Sequence, residues 1–322
     1  MAGQKRTSGK KTASKGTAKK VKPRFSIPLI VILILLAGGL GFSTYLEFRD
    51  ESQTAFSDTP EAVDVSEDGL TVHFIDVGQG DSELIVIGGQ TMLIDAGETE
   101  YGDTVVSYIQ NLGITKLDYI IATHPHSDHI GGLPAVIENF EIGRVITPKL
   151  PLDMIPTTRV YENFIDAVAD SGGKLTEAVA GDEYTLSEAN FTVLSPDSGS
   201  DFSDLNDWSV VIRLVYGKTA WVFTGDAEKP AETAIVDSGR ELRADILKVG
   251  HHGSSNSSTA DFLAKVTPRW AVIEVGVDNS YNHPTEAALE RLSEYAGRIF
   301  RTDIEGNIVL NSDGKVIKVV DG

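Results

Sequence analysis

The sequence predicts a layered α/β (α+β) domain that is preceded by one transmembrane helix. Strand-like and helix-like segments alternate from about Leu70 to Val320, a span of roughly 250 residues that can form one large domain. A run without any charge, residues 27–46, precedes them and is long enough to cross a bilayer. Six of the seven histidines fall in three short segments, so candidate reactive side chains are concentrated at a few points of the chain.

The first 46 residues have the composition of a cytoplasmic tail followed by a membrane anchor. Residues 1–25 carry nine basic side chains and no acidic one, although the whole chain has a formal net charge of −19. The segment 26–46 includes 20 consecutive uncharged residues, about the number that a helix needs to span the hydrocarbon core. Positive charge before the span predicts a cytoplasmic N-terminus, so we expect a single-pass protein of the cell membrane with its large domain outside. An uncleaved anchor or signal is favoured over a signal peptide cleaved near residues 37–39.

Composition limits the chemistry of the remaining chain. Residues 47–68 are predicted to be an acidic linker, and the folded domain is expected over 69–322. The chain has no cysteine, which excludes a thiolate nucleophile, a disulfide framework and a cysteine-ligated zinc. Any metal must therefore be bound by His, Asp, Glu or Asn. The acidic domain also disfavours nucleic acid as a tightly bound partner, because phosphate recognition usually needs a Lys/Arg surface.

The alternation of apolar patterns predicts the elements of the domain in order. Strands are expected at 71–76, 83–86, 92–95, 119–122, 145–147, 191–194, 209–215, 219–224, 246–249, 270–274 and 308–311. Helices are expected at 104–112, 133–140, 158–170, 227–236, 259–265 and 285–295. Residues 148–190 have weaker periodicity and are interpreted as an insertion.

The first histidine segment follows an apolar strand-like run. Residues 123–132 (THPHSDHIGG) place four candidate ligands within six positions, namely His124, His126, Asp128 and His129. Four such side chains at the end of one strand would lose solvation without compensation if they bound nothing. The first two are two residues apart on extended backbone and can point the same way, whereas Asp128 and His129 lie past a turn. One segment can therefore serve two metal ions.

Two further segments also place polar side chains after apolar strands. Asp226 follows the run 221–223, and the two oxygens of its carboxylate could bridge two cations. His251 and His252 follow the run 246–249, and at least one of them is expected to be a metal ligand. The sequence does not decide between these two histidines.

Eight segments form an ordered series of motifs, which are 76–82 (DVGQGDS), 93–97 (LIDAG), 123–132 (THPHSDHIGG), 206–211 (NDWSVV), 224–226 (TGD), 248–254 (KVGHHGS), 281–284 (YNHP) and 301–303 (RTD). This series resembles the metallo-β-lactamase superfamily, and within it the hydrolase domain of the ComEC-type competence proteins. The resemblance extends from about Leu70 to Val320.

The resemblance implies a four-layer αββα sandwich with the active site at the edge where strand ends meet. It also implies two divalent ions, with His124 and His126 for the first ion, Asp128, His129 and either His251 or His252 for the second, and Asp226 for both. Asp95 would lie behind the ligands and orient an imidazole ring. Asp76 and Asp81 either also lie behind the ligands and orient them, as is implied for Asp95, or they are loop residues that hydrogen-bond the backbone.

The chain departs from most members of that superfamily at one ligand position. Those members have a further histidine before the bridging aspartate, but this chain has no histidine from 130 to 250. The resemblance to the ComEC-type subgroup places Asn206, Asp207 and Ser209 there instead. The first ion would then have two imidazoles and oxygen ligands, a set that is more favourable to Mn²⁺ than a three-histidine site. The expected cofactors are two divalent ions, with Zn²⁺ favoured and Mn²⁺ as the alternative.

Hydrolysis is the expected reaction, because a pair of divalent ions lowers the pKa of a bound water and polarises a substrate ester. Asp128, His251 and His283 are the candidate catalytic residues, since an imidazole beside the ions could donate a proton to the leaving group. Lys248 and Ser254 could contact a phosphate, or they could simply belong to a strand and a loop.

Three functions fit these residues. The first is an extracytoplasmic phosphodiesterase or nuclease related to competence DNA uptake, as the resemblance implies. The second is a hydrolase of a small cell-surface ester, such as a choline-phosphate diester, a lactone or a β-lactam. The third is a noncatalytic binding module that keeps the metal for stability. Metal-dependent turnover would exclude the third, and cleavage of a small diester without cleavage of DNA would exclude the nuclease.

Overall fold

Two β-sheets carry the fold of this chain, whose computed structural model describes residues 69–320. The strands are β1 (Leu70–Phe74), β2 (Glu83–Ile87), β3 (Gln90–Ile94), β4 (Lys116–Ile121), β5 (Glu141–Pro148), β6 (Lys174–Ala178), β7 (Glu183–Leu186), β8 (Ala189–Ser195), β9 (Val211–Tyr216), β10 (Thr219–Phe223), β11 (Ile246–Lys248), β12 (Trp270–Ile273), β13 (Arg298–Arg301), β14 (Ile308–Ser312) and β15 (Ile317–Val319). The first sheet has the order β15-β14-β1-β2-β3-β4-β5-β6, and the second has the order β13-β12-β11-β10-β9-β8-β7.

Each sheet changes from antiparallel to parallel pairing along its width. In the first sheet, β3 to β6 pair parallel, and in the second sheet β10 to β13 do so. Strands in this position are covered on both faces, which is why their sequences are continuous apolar runs such as the fully buried Thr219–Phe223. Parallel pairing also brings the carboxyl ends of neighbouring strands to one edge of each sheet.

The helices cover the outer face of each sheet. They are α1 (Gly102–Asn111), α2 (Ser127–Ile130), α3 (Leu133–Asn139), α4 (Arg159–Ser171), α5 (Lys229–Asp237), α6 (Ala260–Val266), α7 (Glu286–Tyr295) and α8 (Thr302–Glu305). Local sequence explains two of the starts, because the hydroxyls of Thr158 and Thr285 accept backbone N–H groups of the first turns of α4 and α7. Helix α4 ends at Gly172, which takes the left-handed conformation with φ of 70°.

Three apolar clusters show how these layers stack. The middle cluster joins the two sheets, with Phe74 stacked near Phe223 at a ring distance of 6.3 Å. A second cluster packs α1, α3 and α4 on the first sheet, and a third packs α5, α6 and α7 on the second. The described residues therefore form a four-layer αββα sandwich with two mixed sheets. The predicted layered α/β fold is confirmed.

The interpretation of residues 148–190 as an insertion is wrong. This stretch contains α4, β6 and β7, and the two strands form the outer edges of the first and second sheets. Most side chains of these two strands are exposed or half-buried, because each edge strand has one open side. Their sequences therefore lack the strong apolar pattern that reveals the central strands.

The predicted membrane anchor lies outside the described residues. The same is true of the predicted tail at 1–25 and linker at 47–68, so the proposed division of the N-terminal region stays a prediction. Within residues 69–320, none of the helices is both long and apolar enough to cross a membrane.

Strand ends converge at one edge of the sandwich. Strand β4 leads into the segment with His124, β10 leads into Asp226, and β11 leads into His251. The two sheets are joined there by the backbone of Val210, whose N–H donates to the carbonyl of Thr123 at 2.9 Å. This convergence gathers polar side chains that are distant in sequence.

Candidate metal centre

The first candidate ligand group consists of His124, His126 and Asp226, whose ligand atoms all lie within 4.8 Å of one another. The Nε2 atom of His124 is 3.7 Å from Oδ2 of Asp226 and 3.0 Å from Nδ1 of His126. The Oγ of Ser209 lies 3.4 Å from Nδ1 of His124 and accepts the backbone N–H of Asp226 at 3.1 Å. Ser209 therefore links the two sheets at this group.

The second group consists of Asp128, His129, Asp226 and His252, again within 4.8 Å. The Oδ2 atom of Asp226 is 3.3 Å from Nε2 of His129, and its Oδ1 atom is 3.6 Å from Nε2 of His252. The same His252 nitrogen is 3.4 Å from Oδ2 of Asp128. Of the two neighbouring histidines that the sequence left open, His252 is the one in this group.

The donor atoms of the second group fit a divalent cation. Nε2 of His129, Nε2 of His252 and Oδ1 of Asp226 are buried and lack a hydrogen-bond partner within the described part of the chain. Buried polar atoms are normally satisfied, so nitrogen and oxygen lone pairs directed at one point indicate a cation. Asp226 belongs to both groups. Its Oδ2 lies near His124 of the first group and His129 of the second, and its Oδ1 lies near His252.

The pKa shifts of the ligand residues also indicate a site for a cation. Burial lowers the pKa of His252, but the carboxylates of Asp226 and Asp81 outweigh burial and raise the pKa to about 10. Burial likewise opposes charge on Asp226, but the adjacent His129 and His252 hold its pKa well below the usual value. The region therefore has a strongly negative potential, which a divalent cation can balance in place of protons.

Buried hydrogen bonds fix the orientation of the ligand rings. Oδ2 of Asp95 lies 2.8 Å from Nδ1 of His129, and Oδ1 of Asp95 accepts the backbone N–H of Thr123 at 2.8 Å. The Nδ1 atom of His252 lies 2.9 Å from the carbonyl oxygen of Glu274. Each of these contacts leaves Nε2 of the ring directed at the candidate ions.

A buried ion pair lies behind His252. The ammonium of Lys248 donates to Oδ2 of Asp81 at 2.6 Å, and Oδ1 of Asp81 is 3.2 Å from Nδ1 of His252. Both Lys248 and Asp81 are fully buried. Burial opposes charge on Asp81, but Lys248 and the nearby imidazoles lower its pKa to about 2. Lys248 thus stabilises the carboxylate that contacts the ligand ring.

Two further buried carboxyls, Glu83 and Glu274, complete this cluster. The ligand atoms of Asp81, Glu83 and Glu274 lie within 4.8 Å of one another. Burial raises the pKa of Glu274 to about 8 and that of Glu83 well above its usual value, and neighbouring carboxylates add to both shifts. Burial therefore favours the protonated form of these two carboxyls, whereas Asp81 beside Lys248 is ionised.

A cleft of about 280 Å³ opens over the two ligand groups. It is lined by Gln79, His126, Ser127, Asp128, Asn206, Asp226, His251, His252, Tyr281 and His283. Among the described residues that line it there is no lysine or arginine. An anionic substrate in this cleft would therefore depend on bound cations and imidazoles for its charge balance.

His251 and His283 line the cleft beside the ligand groups. Oε1 of Glu228 is 2.8 Å from Nδ1 of His251, which leaves the Nε2 atom of that ring 3.7 Å from Oδ2 of Asp226. Burial opposes protonation of His251, but the bond to Glu228 and the charge of Asp226 raise its pKa. Burial, with His251 and His252 nearby, lowers the pKa of His283 to about 4.

The structure does not bring every predicted residue to the cleft. Asp76 is a loop residue whose Oδ1 accepts the N–H of Gly78 at 3.0 Å. Lys248 and Ser254 are buried and do not line the cleft, so neither is placed to contact a substrate. Asp207 accepts the N–H groups of Glu228 and Ala231 at 3.2 Å each, at the start of α5.

Three residues that contact the candidate ligands or the residues that hold them are not identified from the sequence, namely Thr123, Glu228 and Glu274. Thr123 lies inside the first histidine segment, Glu228 lies two positions after the shared aspartate, and Glu274 directly follows β12. A charged residue at the end of an otherwise apolar predicted strand, 270–274, is the signal that could have identified Glu274. Nothing local indicates the contact that Glu228 makes with a residue 23 positions away.

The serine-rich loop at 254–258 is fixed rather than open. Ser257 and Ser258 are buried, and the side chain of Arg291 donates to the carbonyls of Ser258 at 2.7 Å and Ser257 at 2.8 Å. The buried carboxylate of Glu232 on α5 accepts the backbone N–H groups of Ser258 and Thr259. Burial raises the pKa of Glu232 to about 7, although these hydrogen bonds oppose the shift.

The sandwich and the two ligand groups that share one aspartate define a metallo-β-lactamase-fold protein with candidate sites for divalent metal ions. Residues 75–275 match the metallo-β-lactamase superfamily, and the chain belongs to that family. The resemblance found in the sequence is confirmed.

Three bacterial relatives are at least 30% identical to the chain. The chain is 32% identical to ComE operon protein 3 of Bacillus subtilis, over 74% of this chain and 32% of that protein. It is 30% identical to competence protein ComA of Neisseria gonorrhoeae, over 89% of this chain and 40% of that protein. Recombination protein 2 of Haemophilus influenzae is also 30% identical, over 74% of this chain and 28% of that protein. The chain thus matches less than half of each relative.

Two solved structures share the fold at low sequence identity. YhfI of Bacillus subtilis, a metallo-β-lactamase fold protein, has a TM-score of 0.50 at 12% identity and covers 76% of this chain and all of its own. CmlA of Streptomyces venezuelae, a diiron β-hydroxylase, has a TM-score of 0.53 at 12% identity, over 76% of this chain and 54% of its own. These likenesses concern the fold alone.

Replacement of the shared aspartate is expected to remove metal binding. The full chain, dialysed after incubation with Zn²⁺ or Mn²⁺, should retain about two ions, the number that a shared carboxylate between two ligand groups predicts. Asp226→Asn should retain fewer than one, because the amide lacks the charge that offsets two cations. Asp76→Asn is the matched control and should bind like the wild type. Elemental analysis measures the ions per chain, and unchanged binding by Asp226→Asn would contradict the assignment.

Glu232 is expected to make stability depend on pH. Because its pKa is raised to about 7 in the folded chain, the folded state keeps a proton that the unfolded chain releases above its ordinary pKa. The free energy of unfolding should therefore decrease as pH rises through this window, by about 3 kcal/mol in total. Glu232→Gln should remove that part of the slope, and the exposed Glu188→Gln should keep it. Urea unfolding at several pH values tests this, and equal slopes in all three proteins would refute it.

Proposed function

We propose that the chain is a divalent-metal-dependent phosphodiesterase with two cooperating metal sites. The observation that carries the proposal is the position of Asp226, which belongs to both ligand groups. His124 and His126 would hold the first ion with Asp226. Asp128, His129 and His252 would hold the second. When bound, such ions polarise a substrate ester and supply a nucleophile derived from water at neutral pH, as two-metal hydrolases do.

The residues of the chain would orient the ligand rings and hold the negative charge that a cation can balance in place of protons. Asp95 holds the ring of His129 through Nδ1, and the carbonyl of Glu274 holds that of His252. Asp81 stays ionised beside Lys248 and supports the same ring. These contacts occupy Nδ1 of each ring and leave Nε2 directed at the ligand group, where a cation can take the place of the second ring proton.

His251 is the proposed proton donor to the leaving group. It lines the cleft, and Glu228 accepts from its Nδ1 and stabilises the charged ring. Its Nε2 atom faces the cleft next to Asp226. His283 is neutral at pH 7 because its pKa is lowered to about 4, so it would serve as a hydrogen-bonding partner of the substrate.

We base the proposed substrate class on the names of the relatives. Their names refer to competence and recombination, which supports a polynucleotide phosphodiester. A small ester is the second candidate, because the part of the cleft that the structure describes has no lysine or arginine in its lining. With a formal net charge of −19 for the chain, an extended polyanion would be held mainly by the ions.

The proposed location is the outer side of the cell membrane. The support is the 20-residue uncharged run at 27–46 with nine basic residues before it. The linker at 47–68 would then connect this anchor to the sandwich. A phosphodiesterase in that place would meet substrates outside the cytoplasm.

The role of His251 is tested by comparing leaving groups. The wild type with Mn²⁺ or Zn²⁺ should hydrolyse bis-p-nitrophenyl phosphate and single-stranded DNA. His251→Gln should reduce kcat on DNA by about 10²–10⁴-fold, because an alkoxide leaves only with a proton. The same variant should hydrolyse the p-nitrophenyl diester almost normally, since p-nitrophenolate needs no proton.

The outcomes of that assay distinguish the phosphodiesterase from the alternative functions and test the role of His251. No metal-dependent turnover of either substrate by the wild type would refute the phosphodiesterase and favour a binding module. Turnover of the p-nitrophenyl diester without cleavage of DNA would favour the small ester. An equal loss on both substrates in His251→Gln would contradict its role as proton donor.

Membrane topology is tested with intact cells. Protease added outside should remove the sandwich and leave the basic tail protected, because the charge bias places residues 1–25 inside. The measurement is an immunoblot with one tag at each end of the chain. Protection of both tags until the cells are lysed would contradict the proposed orientation.

A further inference from the structure

Tyr281 is exposed although it lines the candidate active-site cleft. The residue is 62% exposed, and it borders the cleft together with His251 and His283. Aromatic side chains normally bury most of their large apolar surface, so exposure beside a binding cleft indicates a surface that a bound group covers. Neither the metal ligands nor the proton donor of the proposed function involves this ring.

Three rings form a row from the shared aspartate to solvent. His251 lies next to Asp226, with 3.7 Å between Nε2 and Oδ2. The rings of His251 and His283 meet edge to face, with their centroids 5.4 Å apart. The ring of Tyr281 is stacked on that of His283, with centroids 5.8 Å apart and planes inclined by 24°. One face of the Tyr281 ring is therefore covered by His283, while the exposed remainder borders the cleft.

The loop that carries this ring is held in place by two half-buried side-chain amides. Nδ2 of Asn279 donates to the carbonyls of His283 at 2.7 Å and Gly276 at 3.0 Å, and its Oδ1 accepts the N–H of His283 at 3.0 Å. Gln79 accepts the N–H of Gly276 at 3.3 Å. A ring that is fixed before binding loses little conformational freedom when a ligand stacks on it.

We propose that Tyr281 is a stacking platform for a planar base of the substrate, so that the cleft takes a nucleotide phosphodiester. The inference rests on the proposed phosphodiesterase function and narrows its substrate class. Stacking suits this cleft because every nucleobase has a flat π face and because the described lining offers no lysine or arginine for the phosphates. The base flanking the reacting phosphate would extend along the row of rings toward solvent.

Two ligands that differ only in the base test the platform. Thymidine 5′-monophosphate and deoxyribose 5-phosphate are titrated calorimetrically into the full chain loaded with Mn²⁺. The wild type should bind the nucleotide about tenfold more tightly than the sugar phosphate, the range expected for one stacked base. Tyr281→Ala should abolish the difference and leave binding of the sugar phosphate unchanged. Tyr281→Trp should retain it, because the larger ring also stacks.

Val277→Ala is the matched control. Val277 lies on the same loop and is 70% exposed, but it does not line the cleft, so its replacement should leave the tenfold difference intact. Equal affinity of the wild type for both ligands would overturn the proposal, as would a difference that survives in Tyr281→Ala. Tighter binding of phosphocholine than of the nucleotide, lost in Tyr281→Ala, would also overturn it and assign the ring to a quaternary ammonium.

This readout is independent of turnover. If the nucleotide binds through Tyr281 but the wild type hydrolyses no diester, the base platform stands and the proposed phosphodiesterase fails. If diesters are hydrolysed but the base adds no affinity, the phosphodiesterase stands and the platform fails.

Discussion

The position of one carboxylate governs the arrangement of the centre. Asp226 comes from the second sheet, whereas the histidines at 124, 126 and 129 follow β4 of the first. Its oxygens face both ligand groups only because the ends of β4 and β10 are brought together at one edge. Ser209 strengthens this junction, since its hydroxyl accepts the N–H of Asp226 and lies beside His124. The packing of the two sheets on each other is thus a condition for the two candidate metal sites.

Burying so much charge requires compensation, and the chain provides it in two ways. At the ligand groups, buried nitrogen and oxygen atoms are left without partners in the described structure, which suits exchangeable cations. Behind them, Lys248 is a cation that the chain itself supplies to Asp81. For Glu83 and Glu274, burial raises the pKa and so favours the neutral, protonated carboxyl, which reduces the cost of burying them. This difference in charge compensation distinguishes the candidate ligand groups from the buried carboxyls behind them.

The sequence predicts the centre of the fold better than its edges, for a physical reason. Central strands such as β10 are buried on both faces and have apolar patterns, whereas β6 and β7 are edge strands with mostly exposed side chains. The same reason makes the histidines at 124, 126, 129, 251 and 252 conspicuous, since they follow the apolar strands β4 and β11. The pairing of Lys248 with Asp81 spans 167 positions and has no local signal, so only the folded chain reveals it.

The two neighbouring histidines show how the backbone separates two tasks. His251 and His252 both take left-handed backbone conformations, with φ of 47° and 51°, which residues other than glycine seldom adopt. The unusual turn lets consecutive rings face the same carboxylate from different sides, Nε2 of His251 near Oδ2 and Nε2 of His252 near Oδ1. An extended backbone would direct them to opposite faces instead. One ring can therefore complete a metal site while the other, bound to Glu228, stays available for proton transfer, and the strain of the turn is the cost of that arrangement.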